Sequence, residues 1–269
     1  MKERALGSAA TPRPVSWQLG APAAVGAAFL LLPLLALVTR APWRSLPEHL
    51  SEPAIQTSLR LSLVCATAAA GTAILLGVPL AWVLARSRAR GIGLVRALVT
   101  VPLVLPPVVG GVALLKAFGR NGLLGRWLDE AFGVTLPFTT TGVIVAETFV
   151  AMPFLVLAME GAFRSIDPGL EEAATTLGAS RWFAFTRVSL PSALPGLLAG
   201  SLLAWARALG EFGATITFAG NSPGRTTTMP ISVYLAMERD PDAAVSLALV
   251  LLLTAVIVLV ALRGRWLTT

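Results

Sequence analysis

Residues Glu171 to Pro191 read EEAATTLGASRWFAFTRVSLP, a polar, amphipathic island between long apolar runs. Asp167 suits an N-cap, Pro168 the first helical position and Gly178 a C-terminal stop. These signals predict a helix over Pro168–Leu177. Leu170, Ala173, Ala174 and Leu177 recur at i, i+3, i+4 and i+7, one apolar stripe. Ser180 then caps a second short helix, Arg181–Val188, carrying Trp182, Phe183 and Phe185. Small residues on the first stripe let that helix sit deep in a partner's groove, where large ones would hold it away. An amphipathic helix lying on the membrane surface is the competing reading. Its weak apolar face and the acidic pair Glu171 and Glu172 make that the poorer one. The island is expected to dock a soluble partner.

The surroundings say what kind of chain carries it. Of 269 residues, 55% are hydrophobic and 13% charged, with a mean hydropathy of +0.77. Soluble domains average about 25% charged residues. The net charge of +7 and pI near 11.1 raise nucleic-acid binding,. The arginines argue against it, because they sit at the ends of apolar runs rather than in one patch. Cytoplasmic loops of membrane proteins collect Lys and Arg. With one cysteine (Cys65) and one histidine (His49), no disulfide framework and no Cys/His metal site can form within the chain. Cys65 reads as a small core residue and His49 as a solvated loop residue.

Six uncharged or nearly uncharged runs are long enough to span a bilayer, at about 20 residues each. They are Trp17–Thr39, Leu61–Ala85, Ala97–Leu115, about Thr139–Phe163, about Leu190–Ala219 and Ala243–Leu262. The first lacks a convincing cleavage site, so a signal peptide is the poorer reading. The expected organisation is a flexible cytoplasmic tail over 1–16, a six-helix all-α polytopic membrane domain over 17–262 and a short cytoplasmic tail over 263–269. Alternate loops carry unequal numbers of Lys and Arg, twelve against seven. The larger set includes both tails, the Arg86, Arg88, Arg90 and Arg96 loop and the 164–191 loop, which places all of them in the cytoplasm.

Several residues at membrane depth attract attention. Pro102, Pro106, Pro107, Gly110 and Gly111 crowd the third run. Helix breakers are tolerated there only where neighbours or a water-filled path satisfy the freed backbone. Pro106, Pro107 and Gly111 are therefore candidate pathway residues, against the alternative of a kinked packing helix. Glu147, Arg207 and Glu211 are ionisable groups inside apolar runs, costly unless paired or facing water. Arg207 and Glu211 share a helical face at i, i+4, so a structural ion pair is favoured over a pathway role. Glu147 has no local partner; Arg60 is a candidate mate in the fold. No GxxxxGK[ST], HExxH or GxSxG occurs, and one histidine leaves little to activate the serines. The chain is not expected to be an enzyme or to hold a cofactor.

Glu172-Ala173-Ala174, three residues, Gly178, nine residues, then Val188-Ser189-Leu190-Pro191 closely resembles the EAA signature of ABC importer permeases. Val188 stands where that pattern has Ile. Val101–Gly110 (VPLVLPPVVG) with Gly119–Gly125 (GRNGLLG) is similar to molybdate permeases, and Arg207–Thr215 (RALGEFGAT) to the molybdate and sulfate group as a whole. The resemblance covers about residues 55–262 and implies a type I importer permease fold. It implies that Glu171, Glu172, Ala173, Ala174, Leu177 and Gly178 couple to a separate ATPase subunit. It further implies a homodimer, two cytoplasmic ATP-binding subunits and a periplasmic or extracellular oxyanion-binding protein. The setting would be a bacterial or archaeal cytoplasmic (inner) membrane with its lipid, and the cargo molybdate, with tungstate open. A sulfate or thiosulfate importer is the near alternative. A stand-alone secondary transporter or channel is the alternative of another class, and it would have no reason for an EAA loop.

Overall fold

The computed structural model of the chain describes residues 16–263. The expected N-terminal tail, apart from Ser16, and residues 264–269 lie outside the described residues. Contacts divide the chain into two units, Met1–Ala41 and Pro42–Thr269. The first holds α1 (Trp17–Thr39), an apolar helix with Pro22 and Pro33 inside it.

The second unit is built on two long helices, α3 (Pro53–Arg86) and α7 (Thr140–Ser165). The buried face of α3 is almost all small: Ser58, Ser62, Cys65, Ala66, Ala69, Ala73, Gly77 and Ala81. Lipid tails are as apolar as leucine, so close backbone approach rather than water exclusion drives such packing. At Gly77 a Cβ would already stand 3.1 Å from Val156 on α7. Helix α11 (Leu194–Leu209) packs on α7 the same way, with Gly200 against Leu155 and Ala158. The core follows from these three helices: Ala69, Ala73, Leu84, Leu155, Met159, Phe163, Ala204 and Ala208. Cys65 is completely buried among them.

Among the described residues, four helices are long and apolar enough to cross a membrane: α1, α3, α7 and α14 (Pro241–Arg263). A fifth arises if Arg181–Ser192 and Leu194–Leu209, bent by 75°, are one broken span. The third expected span is not one helix. It is α4 (Ile92–Val104) and α5 (Pro107–Phe118), separated at Leu105 and Pro106. Two consecutive prolines explain the break, because each removes a backbone donor and the first forces Leu105 out of the helical region (ψ 132°),. The fifth expected span likewise stops at Leu209 and restarts as α12 (Gly213–Ala219).

Three expected loops contain helices: α2 (Leu46–Ser51), α6 (Gly125–Phe132) and α13 (Met229–Met237). The last is no surface loop. Met229 and Ile231 are fully buried, the Met229 N–H donates to Ser62 Oγ (2.7 Å), and Ser232 and Ser58 hydroxyls meet at 2.9 Å. His49 is not simply solvated, since its Nδ1 lies 2.9 Å from Ser246 Oγ on α14.

Candidate functional site

The loop after α7 forms largely as its capping residues dictate. The Asp167 carboxylate accepts from the Gly169 N–H (2.9 Å) and opens α8 (Pro168–Thr176). Gly178 closes it at φ +90°, with its N–H on Thr175 O and the Ala179 N–H on Ala174 O. That left-handed geometry admits glycine far more readily than any L side chain. Ser180 Oγ then accepts from the Phe183 N–H (3.1 Å) and starts α9 (Arg181–Ala184). The second helix does not run evenly to Val188: a π turn, Phe185–Ser189, takes over before α10 (Leu190–Ser192).

The two faces of α8 differ. Glu172, Ala173, Thr175, Thr176, Leu177 and Gly178 are exposed, with Leu177 at 89%. Leu170, Trp182 and Phe183 are also exposed, so the loop presents an apolar patch beside Glu172. Ala174 is half-buried. Glu171, expected beside Glu172 on the docking face, is turned inward. Its Oε1 accepts from Arg86 Nε (2.9 Å) and from Ser189 Oγ (2.8 Å). Arg86 Nη2 also donates to Ile166 O (3.3 Å) at the end of α7. Beneath the loop, Phe185 gathers Trp82, Phe163 and Trp182 within 5.6 to 6.2 Å between ring centroids. Nearby, Glu160 receives Arg96 from α4 and Arg164 from its own helix, both at 2.8 Å.

The second cluster lies at the two broken helices. Arg207 Nη1 stands 2.6 Å from Glu211 Oε2, and Glu211 Oε1 accepts from the Ala214 N–H (2.8 Å). Glu211 therefore joins the end of α11 to the first turn of α12. Helix α12 packs tightly on α5: a Cβ at Gly213 would lie 2.7 Å from Pro107 Cβ. Glu147 on α7 is 1% exposed, within electrostatic reach of Glu211, and its Oε2 has no hydrogen-bond partner. The expected mate is not there. Arg60 is exposed, and no ion pair joins it to Glu147 among the described residues. The candidate pathway residues are thus split. Pro107 and Gly111 on α5 stand against Gly213 and Thr217 of α12, whose first turn Glu211 caps while holding Arg207; Pro106 and Pro107 are both exposed. Among the described residues no cluster of His, Cys, Asp or Glu could hold a metal ion.

Residue reading missed Arg86 and Ser189 as partners of Glu171; Arg86 had served only as a topology marker. It also missed Thr215, fully buried with an unpartnered hydroxyl. Ser189 and Thr215 lie inside the quoted motif stretches, but the Arg86 and Ser189 contacts with Glu171 bridge distant parts of the chain and carry no local signal.

A profile of the family described as binding-protein-dependent transport system inner membrane component matches residues 73–268. The chain belongs to this family. Among its relatives, the molybdenum transport system permease protein ModB of Mycobacterium tuberculosis (strain H37Rv) is 49% identical over 244 residues, covering 91% of this chain and 92% of the relative. ModB of Escherichia coli (strain K12) is 39% identical, covering 81% and 95%. The sulfate transport system permease protein CysT of the same strain is 36% identical, covering 86% of this chain and 84% of that one. Among solved structures, a bacterial ABC transporter that imports the acidic polysaccharide alginate superposes with a TM-score of 0.71 at 18% identity, covering 93% and 95%. The MetNI methionine transporter gives 0.64 at 19% identity, covering 81% and 98%. The matched residues 73–268 take in both broken helices and the α8–α9 loop of this chain.

Proposed function

We propose that this chain is the membrane-spanning permease subunit of an ATP-driven importer that carries molybdate inward. The single observation behind the coupling role is the outward face of α8: Glu172, Ala173 and Thr175 to Gly178 stand exposed at a glycine-fixed turn, next to the aromatic cluster around Phe185. The cargo rests on the relatives named for molybdenum transport.

In this reading two copies of the chain enclose the path. The termini and the 164–191 loop face the cytoplasm, where one ATP-binding subunit docks on each α8. A binding protein delivers the oxyanion to the opposite face. ATP binding draws the two α8 helices together and opens the path outward; hydrolysis resets it inward. A ligand-driven change of this kind needs differential contacts in the two states, and the exposed α8 face supplies them to the ATPase. The permease itself carries no hydrolytic chemistry. Pro107, Gly111 and the Arg207–Glu211 pair, at the junction of the broken helices, are the proposed path-shaping residues, with Pro106 at its margin.

Molybdate uptake in cells depleted of this protein tests the assignment. It should fall while sulfate uptake persists, and tungstate should compete with molybdate. The 36% identical sulfate permease keeps a sulfate importer as the second reading; loss of sulfate uptake with molybdate uptake intact would establish it instead.

A further inference from the structure

We infer that Glu171, Arg86 and Ser189 form a clamp that carries displacement of the coupling helix into the membrane-spanning helices. The inference rests on the docking role proposed for α8. One carboxylate oxygen, Glu171 Oε1, holds two donors from distant parts of the chain. Arg86 is the last residue of α3, and its other arm reaches Ile166 O, the residue after α7. Ser189 is the last residue of the π turn, completely buried, and leads into α10 and α11. A single junction therefore ties α8 to the ends of α3 and α7 and to the start of the broken span. Charge-assisted, partly buried contacts of this kind are stronger than neutral ones and fix geometry. The Glu171 and Arg86 side chains are only 15% and 16% exposed, so solvent screening is limited.

Among the described residues, no ion pair or hydrogen bond holds the Glu172 carboxylate, which lies exposed next along the chain. The two acidic neighbours thus divide the work: Glu172 meets the partner, and Glu171 passes the motion on. Glu171 is a positioning residue, since it acts through Arg86 and Ser189. Phe185 already packs on Trp82 of α3, but that apolar contact belongs to the π turn, whereas the clamp holds α8 itself to the end of α3.

The test uses the complete transporter, permease with ATPase subunits and binding protein, in liposomes. Glu171→Gln, Arg86→Lys and Ser189→Ala are compared with Gly178→Asp and wild type. The readout is oxyanion moved per ATP hydrolysed, together with ATPase co-purification. Clamp variants should retain the ATPase subunits and continue to hydrolyse ATP, while transport per ATP falls about tenfold, within the usual range of inter-site coupling. Arg86→Lys keeps the charge but not the two-armed geometry, so it should resemble Glu171→Gln rather than wild type. Ser189→Ala removes one hydroxyl and is the mildest change, which guards against general misfolding. An unchanged transport-to-ATP ratio in all three variants overturns the clamp. Loss of the ATPase from the clamp variants also overturns it, because Glu171 would then belong to the docking face. Failure of the wild-type chain to retain any ATPase overturns the docking role itself, and the clamp with it.

Discussion

Arg207 and Glu211, one helical turn apart, form an ion pair of 2.6 Å in which the acid is 1% exposed and the base 28%. The pair spans the point where α11 ends and α12 begins, and Glu211 also caps the new helix through Ala214 N–H. The two partners are therefore unequal. Removing Arg207 strands a buried carboxylate, whereas removing Glu211 leaves a guanidinium that is already 28% exposed.

Arg207→Ala should accordingly be the more damaging single change. Breaking a buried pair from one side costs roughly 3–5 kcal/mol. Arg207→Ala with Glu211→Ala together should cost less than the sum of the two. Unfolding of the purified protein in detergent measures this; additive losses would show that the pair is not coupled.

Gly178→Asp places an L side chain at φ +90°, although nothing lies within 4 Å of the new Cβ. The strain is local, on the order of 1–3 kcal/mol. The protein should still reach the membrane, but the α8 face should be misaligned. ATPase subunits should fail to co-purify and transport should stop. A fully coupled mutant would mean that the turn is not part of the docking geometry.

Gly111 and Gly71 make a matched pair. A Cβ at Gly111 would stand 2.6 Å from Thr217 Cβ and 3.0 Å from Ala214 O, while at Gly71 nothing lies within 4 Å. Gly111→Ala should force α5 from α12, lowering stability by about 1–3 kcal/mol and impairing transport. Gly71→Ala lies in the middle of α3 and should be neutral or slightly stabilising, by up to about 1 kcal/mol. Equal behaviour of the two variants in a thermal-shift assay would remove the close α5–α12 contact as an explanation.

Glu147 has an oxygen with no partner at a site that is 1% exposed. A buried charge without a partner is costly, and a neutral amide of the same shape forfeits no hydrogen bond at that oxygen. Glu147→Gln should be at least as stable as wild type in detergent. A loss above about 1 kcal/mol, the net value of a typical hydrogen bond, would reveal a contact that depends on the carboxylate.

How far the sequence announced all this depends on the range of the interaction. Asp167, Gly178 and Ser180 act within four residues of themselves, and the predicted caps and stop are where the structure has them. The i, i+4 pair at Arg207 and Glu211 is local for the same reason. Long-range partners were out of reach: 85 residues separate Arg86 from Glu171. The acidic doublet Glu171-Glu172 looked like one surface feature, and only the fold separates its members. Helix breaks were misjudged where apolar composition continued through them. Pro106 and Pro107 read as kinks in one span, yet they leave two helices. Residues Met229–Met237 fell between two expected spans, yet Met229 and Ile231 are fully buried and the amide and hydroxyl contacts of the segment reach α3.

The π turn at Phe185–Ser189 has a bearing on the motif spacing. A π turn accommodates one residue more than an α turn of the same hydrogen-bonded stretch. Each helical residue advances the side-chain direction by about 100°. Deleting one residue between Gly178 and Val188 could thus be absorbed by converting the π turn into α-helix, with Ser189 still delivered to Glu171. An insertion has no such reservoir. The interval between the glycine and the Leu190-Pro191 step should tolerate shortening by one residue far better than lengthening by one.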